Sequence, residues 1–395
     1  MVTKMVKPKD IITGENAVKR SMKYIRRMGK KCLIVTDDSM IKLGNTERLI
    51  QELEKIEINY VVYSKINSEP THQMIDEGVD LYKKRGCDFL IALGGGSPLD
   101  SMKAIGAVVT NGGRITEYMG KVLEKDTPPT VAIPTTAGTG SEATKVSIIT
   151  NTETNVKMLL SDAKLMADLA VVDPIFSLTA PQKVTAATGV DALTHAVEAY
   201  TSVKANADTD VYAKKAVKRI YENLLAAYRD GRNISARSEM ATGALEAGIA
   251  FSNASVTIVH GMSRPIGALF RVPHGQSNAM LLRVCLNFIK PGVENRLCDL
   301  AEEIGVYEEG MTEEEGAVVF IEAITELLEA LNVETIQDYG VAEQDFFKYI
   351  PKMTQDALES GSPGNTVRTP TKEDIGKLYV ELWFDGLRKQ GKGIA

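Results

Sequence analysis

The chain has 395 residues, of which 44% are hydrophobic and 25% are charged, and it carries a formal net charge of −6. This length favours two domains over a single core, and the acidic balance gives no electrostatic reason to bind nucleic acid. Because no apolar run approaches roughly 18 residues and the N-terminus lacks an apolar signal core, we expect a cytoplasmic protein that does not enter a membrane.

The first half of the chain alternates β-branched runs with segments of helical periodicity. The strand-like runs are KCLIVTDD (31–38), NYVVYS (59–64), CDFLIALGGGS (87–97), TVAIPTT (130–136), KVSIIT (145–150) and LAVVDP (169–174). The clearest helical segments between them are TERLIQELEKI (46–56) and HQMIDEGVDLYKKRG (72–86), the second with Thr71 as its predicted N-cap. This alternation predicts a mostly parallel, Rossmann-like sheet covered by helices.

The character of the sequence changes after Pro174. Long alanine- and glutamate-rich helical patterns run from Val184 to the C-terminus, most clearly at 210–230 and 313–333. We therefore predict an α/β domain over residues 1–182, followed by an all-helical domain over residues 183–395.

The four cysteines show no metal-binding or disulfide pattern. They are Cys32, Cys87, Cys285 and Cys298, and no two have the CxxC spacing. We expect buried thiols in a reducing compartment.

The run LGGGSPLDSMKAIG (93–106) joins a predicted buried strand to a helix through three glycines. Glycine lets backbone N–H groups approach an anion, and a helix N-terminus adds its positive dipole end. We predict Ser97 as the N-cap, Pro98 as the first helical residue and Asp100 as the capping-box partner. The run suits a pyrophosphate, although a tight β–α turn alone also uses several glycines.

A second loop, IPTTAGTGSEAT (133–144), follows another predicted strand and concentrates hydroxyl groups around two glycines. Its candidate ligand-binding side chains are Thr135, Thr136, Thr139 and Ser141. Ligands of open α/β sheets bind beyond the carboxyl ends of the strands, so we expect both loops to line one nucleotide or sugar-phosphate site. Asp37, where the first strand-like run ends, is a candidate for a ribose diol and would repel a 2′-phosphate; the alternative is a helix-capping aspartate.

Three of the four histidines have distinctive surroundings. Asp191 and His195 are four residues apart in a helical pattern, so both point to one helix face and could offer two ligands to one metal. A surface or capping interaction is the alternative for such a pair. His72 has no comparable setting, and we expect it at the surface.

His260 and His274 lie on either side of a stretch that contains Pro265, Gly267 and Pro273, which favour a chain reversal. Such a reversal would bring both histidines to the aspartate–histidine pair. One carboxylate and three imidazoles suit Fe²⁺ or Zn²⁺, with an open position for a substrate oxygen.

Four motifs in this order resemble the iron-containing (group III) alcohol dehydrogenase family. They are GGGSPLD (94–100), IPTTAGTGSEAT (133–144), DALTHAVEAYTS (191–202) and the two histidine sites VHG (259–261) and VPHG (272–275). The likeness extends from IITGENAV (11–18) to the helical tail. It implies a dehydroquinate synthase-like architecture in which NAD(P)H and a divalent metal meet in the cleft between two domains.

The resemblance also assigns residues to roles. The metal ligands would be Asp191, His195, His260 and His274, and the cofactor contacts would include Gly95, Gly96, Ser97, Thr135, Thr136 and Lys157. Asp37 matches a position associated with preference for NAD(H) over NADP(H). The implied metal is Fe²⁺, with Zn²⁺ or Mn²⁺ as alternatives, and the implied assembly is a homodimer or larger homo-oligomer.

The implied reaction is hydride transfer between nicotinamide and a short-chain alcohol or aldehyde bound to the metal. Many members carry a second histidine four residues after the third ligand, often assigned to proton transfer, but this chain has Arg264 there. Arginine stays protonated and cannot act as a general base. Proton release must therefore use water, a cofactor ribose hydroxyl or another group.

Arg264 and Arg271 both lie between the two ligand histidines. Our hypothesis is that at least one binds the carboxylate or sulfonate of an anionic aldehyde through bidentate hydrogen bonds. The alternative is that both are surface or inter-subunit salt-bridge residues.

Three other functions are compatible with parts of the sequence. A zinc polyol dehydrogenase of the glycerol dehydrogenase type shares the architecture, but the TTAGTGSE run and the Asp191/His195 spacing favour the iron type. A lyase resembling dehydroquinate synthase would need more basic residues for a phosphate-bearing substrate. A nucleotide-binding protein without catalysis is the third alternative, and insensitivity to chelators would favour it.

Overall fold

The computed structural model describes residues 5–389, which form two compact units. Unit 1 contains the described residues up to Pro181 together with Gly231–Ser252. Unit 2 contains Gln182–Asp230 and the described residues from Asn253 onward.

Unit 1 is built on a six-stranded parallel sheet with the order β1-β8-β5-β4-β2-β3. The strands of the unit are β1 Asp10–Thr13, β2 Lys31–Val35, β3 Asn59–Tyr63, β4 Phe89–Gly94, β5 Thr130–Pro134, β6 Val146–Asn151, β7 Val156–Ser161 and β8 Leu169–Val172. The parallel sheet confirms the predicted fold class of this half of the chain.

The KVSIIT run is a strand, as predicted, but it lies outside the parallel sheet. It forms β6, which pairs with β7 in an antiparallel hairpin and makes one further bridge, between Thr150 and Thr71. The burial patterns give the physical reason: β4 is buried at all six positions, whereas β6 and β7 alternate between buried and exposed residues. A strand with one wet face suits a hairpin, and a strand buried on both faces suits the centre of a parallel sheet.

Helices cover both faces of the parallel sheet. Those in the first half of the chain are α1 Ala17–Ile25, α2 Asp38–Lys42, α3 Asn45–Glu54, α4 His72–Arg85 and α5 Gly96–Asn111. Because side chains alternate along a strand, Leu33 and Val35 of β2 join one buried cluster, whereas Cys32 and Ile34 join the other. The sheet therefore separates two hydrophobic cores.

The strand register brings the two glycine-containing loops together. Gly94, at the end of β4, pairs with Pro134, at the end of β5, so the loops that follow leave the sheet side by side. The chain goes from β2 to one edge of the sheet and from β4 toward the other, so the strand order reverses between these neighbours. Ligands of open α/β sheets bind at such a switch point.

Two local predictions in unit 1 need correction. Helix α5 begins at Gly96 with Gly95 as its N-cap, so Ser97 and Pro98 lie inside the first turn and Asp100 makes no capping box. His72 is buried and not at the surface: its Nδ1 accepts a hydrogen bond from the amide of Thr152 at 3.3 Å. The predicted N-cap Thr71 of α4 is confirmed.

The remaining helices are α6 Gln182–Thr201, α7 Ala207–Arg229, α8 Ile234–Ala254, α9 Ile258–Phe270, α10 His274–Ile289, α11 Glu294–Glu303, α12 Glu313–Ala330, α13 Glu343–Glu359 and α14 Lys372–Lys389. Short 3-10 turns are Ile115–Glu117, Ser141–Ala143, Ala163–Leu165, Pro174–Ser177, Lys290–Gly292 and Pro363–Asn365. The predicted helical character of the second half is confirmed.

The predicted second domain included all of residues 183–395, whereas α8 clusters with unit 1 as far as Ser252. Gly248 of α8 lies against Gly140: a Cβ on Gly140 would lie 2.6 Å from the Cα of Gly248. A contact between two glycine backbones leaves no apolar pattern in the sequence.

The chain reversal between the two histidines lies in the predicted stretch, but of the three residues expected to favour it only Pro273, the N-cap of α10, is at the turn. Pro265 and Gly267 lie inside α9, and the turn occurs later, where Arg271 adopts a left-handed conformation with φ 57°. Proline in a helix removes one amide donor, and the helix continues here through the packing of its buried face.

All four cysteines are buried and free, as predicted. Within residues 5–389, the helices fall short of the combined length and apolarity that crossing a membrane requires.

Candidate metal centre and nucleotide loops

Helix α6 presents three ionisable residues on one face. Asp191, His195 and Glu198 occupy positions i, i+4 and i+7, which is the repeat of a helical face. They are 3%, 5% and 2% exposed, respectively. Because buried charges must be paired or bind a cation, this face needs partners from other helices of unit 2.

Helices α9 and α10 supply these partners. His260 Nε2 lies 3.7 Å from Asp191 Oδ1, and His274 Nε2 lies 3.8 Å from the same oxygen. One ligand atom from each of Asp191, His195 and His260 falls within 4.8 Å of the other two. The four predicted metal ligands are therefore brought together, three of them buried and His274 with its side chain 46% exposed.

Glu198, which the sequence analysis did not identify, fixes His260 from behind. Its Oε2 accepts a very short hydrogen bond from Nδ1 of the His260 ring. Its Oε1 accepts from Thr257 Oγ1 at 2.8 Å and from the amide of Val259 at 2.7 Å. Glu198 thereby caps the first turn of α9 and leaves Nε2 of His260 free to face Asp191.

Asn278, also missed, lies one turn after His274 on α10 and is fully buried. Its Nδ2 is 2.7 Å from Asp191 Oδ1, 3.2 Å from His260 Nε2 and 3.3 Å from His274 Nε2. One amide nitrogen within 3.3 Å of a carboxylate oxygen and two imidazole nitrogens shows that these three atoms face a common point. A carboxylate and imidazoles arranged in this way are suitable ligands for a divalent transition metal, so these residues fit the cation that the sequence predicts.

The pKa shifts of Asp191 and His260 favour the protonation states that bind a cation. Burial alone would raise the pKa of Asp191, but the His195, His274 and His260 rings offset it, and the net pKa lies below its usual value. Burial lowers the pKa of His260 well below its ordinary value, and the neighbouring imidazoles add to the shift. An ionised carboxylate and neutral imidazoles are the protonation states that bind metals.

The two arginines between the ligand histidines have different settings. Arg264 is half-buried on the same helix as His260, and its Nη1 is 3.5 Å from the carbonyl of Ser360. Burial lowers the pKa of Arg264, and the charge of Glu198 opposes the shift. Arg271 is exposed and ends α9.

In unit 1, the first glycine-containing loop forms an uncapped helix N-terminus. Gly95 provides no side-chain hydrogen bond to the first amides of α5. A Cβ on Gly96 would lie 3.0 Å from Cγ2 of Thr139, and one on Gly95 would lie 3.6 Å from Oγ1 of Thr136. Free amides at the start of a 16-residue helix, with a close approach to Thr139 at Gly96 that disfavours a side chain there, fit a pyrophosphate.

The structure separates the other predicted cofactor contacts into three settings. Thr135 is buried and continues the sheet, with its amide bonded to the carbonyl of Gly94 at 2.9 Å. Ser141 and Asp100 bond to each other, Oγ to Oδ1, at 2.5 Å. Lys157 lies on β7 of the hairpin and pairs with Glu69 at 2.6 Å.

Asp37 satisfies the capping alternative without excluding the ribose one. Its Oδ1 accepts from the amide of Met40 at 3.0 Å and caps α2. Its Oδ2 would be 3.4 Å from a Cβ on Gly94, so the second oxygen lies beside the start of the loop. The two roles use different oxygens of one carboxylate.

The missed residues had partial signals in the sequence. Glu198 follows Asp191 by seven positions and His195 by three, and Asn278 follows His274 by four, so helical periodicity placed each on a ligand face. Nothing local indicated which of several residues on those faces would reach the cluster.

Comparison with known proteins identifies a family that matches both halves of the chain. The family model for iron-containing alcohol dehydrogenase matches residues 8–174, and the model for the C-terminal part of Fe-containing alcohol dehydrogenases matches residues 185–383. The 1,3-propanediol dehydrogenase of Citrobacter freundii is 36% identical over 359 residues, which cover 90% of this chain and 92% of the relative.

Solved structures agree with the sequence comparison. A crystal structure of 1,3-propanediol oxidoreductase superposes with a TM-score of 0.93 at 33% identity and covers 97% of this chain and 100% of the other. The sulfoacetaldehyde reductase of Bifidobacterium kashiwanohense, solved with NAD⁺, gives a TM-score of 0.87 at 26% identity, covering 97% and 99% of the two chains.

Proposed function

Because this chain belongs to the iron-containing alcohol dehydrogenase family and is an oxidoreductase acting on CH–OH groups, we propose that it interconverts short-chain alcohols and aldehydes with NAD(H) and a divalent metal. The preferred metal is Fe²⁺, and Zn²⁺ and Mn²⁺ are the alternatives. The observation that carries the proposal is the convergence of Asp191, His195 and His260 within 4.8 Å of one another in a buried cluster, with His274 beside it. These four residues would hold the metal.

The bound groups supply the reactive chemistry: a divalent cation polarises a substrate oxygen as a Lewis acid, and a nicotinamide nucleotide accepts or donates the hydride. The chain's own residues prepare the site for them. Asp191 contributes the one negative charge among the four ligands, and the imidazoles of His195 and His260 stack at a centroid distance of 4.5 Å, which fixes their planes. Glu198 holds the proton on Nδ1 of His260.

The nucleotide would be held by the loops of unit 1. The amides at the start of α5, around Gly95, Gly96 and Ser97, would donate to the pyrophosphate, with the hydroxyls of Thr136 and Thr139 beside them. Asp37 would accept from the ribose hydroxyls and repel a 2′-phosphate, which supports NAD(H) over NADP(H). The positions of Lys157 and Ser141, already paired with Glu69 and Asp100, give no support to direct contacts by these two side chains.

Proton transfer cannot use the residue four positions after His260. That residue is Arg264, whose guanidinium keeps its proton at working pH even where burial lowers its pKa. The proton would leave through water, a cofactor ribose hydroxyl or another group.

The proposal extends to the substrate: an aldehyde with a carboxylate or sulfonate group, bound by Arg264. Arg264 supports this because it is half-buried one helical turn from a metal-ligand candidate, whereas Arg271 is exposed at a helix end. The similarity to a sulfoacetaldehyde reductase is in accord with such a substrate. A guanidinium would bind either anion in bidentate fashion.

The alternatives have less support. Both matched family models are those of iron-containing enzymes, which favours neither a zinc polyol dehydrogenase nor a dehydroquinate synthase-like lyase. We further propose a cytoplasmic homodimer or larger homo-oligomer, which light scattering on the purified protein would test.

The decisive experiment is NADH oxidation across a panel of short neutral and anionic aldehydes with anaerobically purified protein. Each assay is repeated after chelation and after adding back Fe²⁺, Zn²⁺ or Mn²⁺. We expect activity that chelation abolishes and Fe²⁺ restores best. Full activity after verified metal removal would overturn the metal-dependent mechanism, and equal use of NADPH would overturn the proposed role of Asp37.

A further inference from the structure

A buried lysine joins the two glycine-containing loops of unit 1. Lys103 lies on α5 two turns after the helix begins and is 1% exposed. Its Nζ donates to Ser141 Oγ at 2.9 Å, to Thr144 Oγ1 at 2.9 Å and to the carbonyl of Val146 at 2.8 Å. All three acceptors belong to the second loop or to the strand that follows it, and together they use the three donors of the ammonium group.

An acidic residue on the same helix completes the connection. Asp100, one turn before Lys103, has Oδ1 3.7 Å from the Lys103 nitrogen. The same oxygen accepts from Ser141 Oγ at 2.5 Å, and Oδ2 accepts from the amide of Ile148 at 2.9 Å. Ser141 is therefore held by both charges of α5 at once. Burial lowers the pKa of Lys103 and raises that of Asp100, and the attraction between the two charges opposes both shifts.

The hydrogen bonds of Lys103 and Asp100 lie beside the cradle at the start of α5. Thr136 and Thr139 lie against Gly95 and Gly96, so the second loop forms one wall of the cradle at the start of α5. Between Thr139 and Thr144 the chain turns through Gly140, which has the left-handed φ of 59°. Lys103 bonds to Ser141 and Thr144 at the far end of this loop.

We propose that Lys103 is a positioning residue of the nucleotide site: it does not contact the dinucleotide but fixes the loop 135–144 against α5, so that both loops keep the spacing a pyrophosphate requires. This inference rests on the proposed function for its ligand. The part of the inference that concerns the loop does not depend on the proposed function, because the order of the loop can be measured without any ligand.

The test compares Lys103→Met, which keeps the length of the side chain and removes the ammonium, with Lys84→Met, which makes the same change at an exposed lysine of α4. Hydrogen exchange is measured in the amides of residues 136–144 and, as an internal reference, in β4. We expect Lys103→Met to speed exchange in the loop by about tenfold or more and to leave the exchange of β4 unchanged. In Lys84→Met, exchange in both segments should equal that of the wild-type protein.

Binding provides the second measurement. We expect the Kd for NADH, followed by its fluorescence, to rise by about tenfold in Lys103→Met, while kcat and the KM for aldehyde at saturating NADH stay within about twofold. A purely structural loss would instead lower the active fraction and leave the KM for NADH unchanged. Thr144→Val removes one of the three acceptors and serves if Lys103→Met does not fold; it should show the same pattern at smaller amplitude.

Unchanged loop exchange in a folded Lys103→Met protein would overturn the proposal, as would wild-type NADH affinity in that variant. A wild-type protein that binds no NADH would instead refute the NAD(H) part of the proposed function. In that case hydrogen exchange still decides whether Lys103 orders the loop.

Discussion

The Glu198 carboxylate accepts a hydrogen bond from Nδ1 of His260, although the two residues are separated by 62 positions in the chain. The same carboxylate caps the first turn of α9, the helix that carries His260. One buried anion therefore sets both the tautomer of the imidazole and the position of its helix.

Replacing Glu198 with Gln is expected to weaken metal binding by about 10–100-fold, because the amide has one acceptor oxygen and cannot accept from both Nδ1 of His260 and the amide of Val259. Competition with a chelator for Fe²⁺ or Zn²⁺ measures the affinity. Glu322→Gln, at an exposed position of α12, is the matched control. Equal affinities of the Glu198→Gln and wild-type proteins would show that the contact does not orient the ligand.

Replacing Arg264 with Ala should lower kcat/KM for an anionic aldehyde by about 10–100-fold, the loss expected for a charged hydrogen-bonded pair. For a neutral aldehyde of equal length the change should stay within about threefold. Arg271→Ala is the control, since that residue is exposed at the end of α9. If each arginine variant lowers kcat/KM for the anionic and the neutral aldehyde equally, neither arginine recognises the anion.

Replacing Glu142 with Gln should change the pH dependence of stability. Glu142 is 1% exposed, and burial raises its pKa to about 7, opposed by a backbone hydrogen bond and by the charge of Lys103. Because the folded state holds the proton up to a higher pH than the unfolded state, the wild-type protein loses stability as pH rises between about 4.5 and about 7. The glutamine variant has no proton to lose.

The free energy of unfolding of Glu142→Gln relative to wild type should therefore increase from about pH 5 to about pH 8, by on the order of 3 kcal/mol at most. Urea denaturation at several pH values measures it, with the exposed Glu322→Gln as reference. A difference that stays constant with pH would mean that Glu142 is ionised in the folded protein throughout this range.

Replacing Gly140 with Ala should destabilise the protein far more than replacing Gly112 with Ala. Both glycines have positive φ, 59° and 81°, so the left-handed backbone should lower the free energy of unfolding of both variants by about 1–2 kcal/mol. Only at Gly140 would the new Cβ meet backbone, 2.6 Å from the Cα of Gly248 and 3.0 Å from the carbonyl of Ala244. We expect an additional loss of about 2 kcal/mol or more in urea denaturation, and equal losses would contradict the close approach.

Much of this molecule follows from local sequence patterns. The β-branched runs gave the strands β2, β3, β4, β5 and β8 because a strand buried on both faces needs apolar residues throughout. Helix α5 begins two residues before the predicted position, since Gly95 and not Ser97 takes the N-cap conformation, without a side chain. Element types are local properties, whereas their exact ends depend on surroundings.

The sequence by itself determined the alternation of strands and helices in the first half, the helical character of the second, the two glycine-containing loops and the aspartate–histidine pair on α6, because each is a matter of local pattern over a few residues. Only the tertiary structure decided that Glu198 and Asn278 reach the histidines, that Lys103 is buried beneath the loops, and that His72 is buried. The physical reason is distance along the chain: Asn278 and Asp191 are 87 positions apart, and only the packing of α6 against α10 brings their side chains into contact.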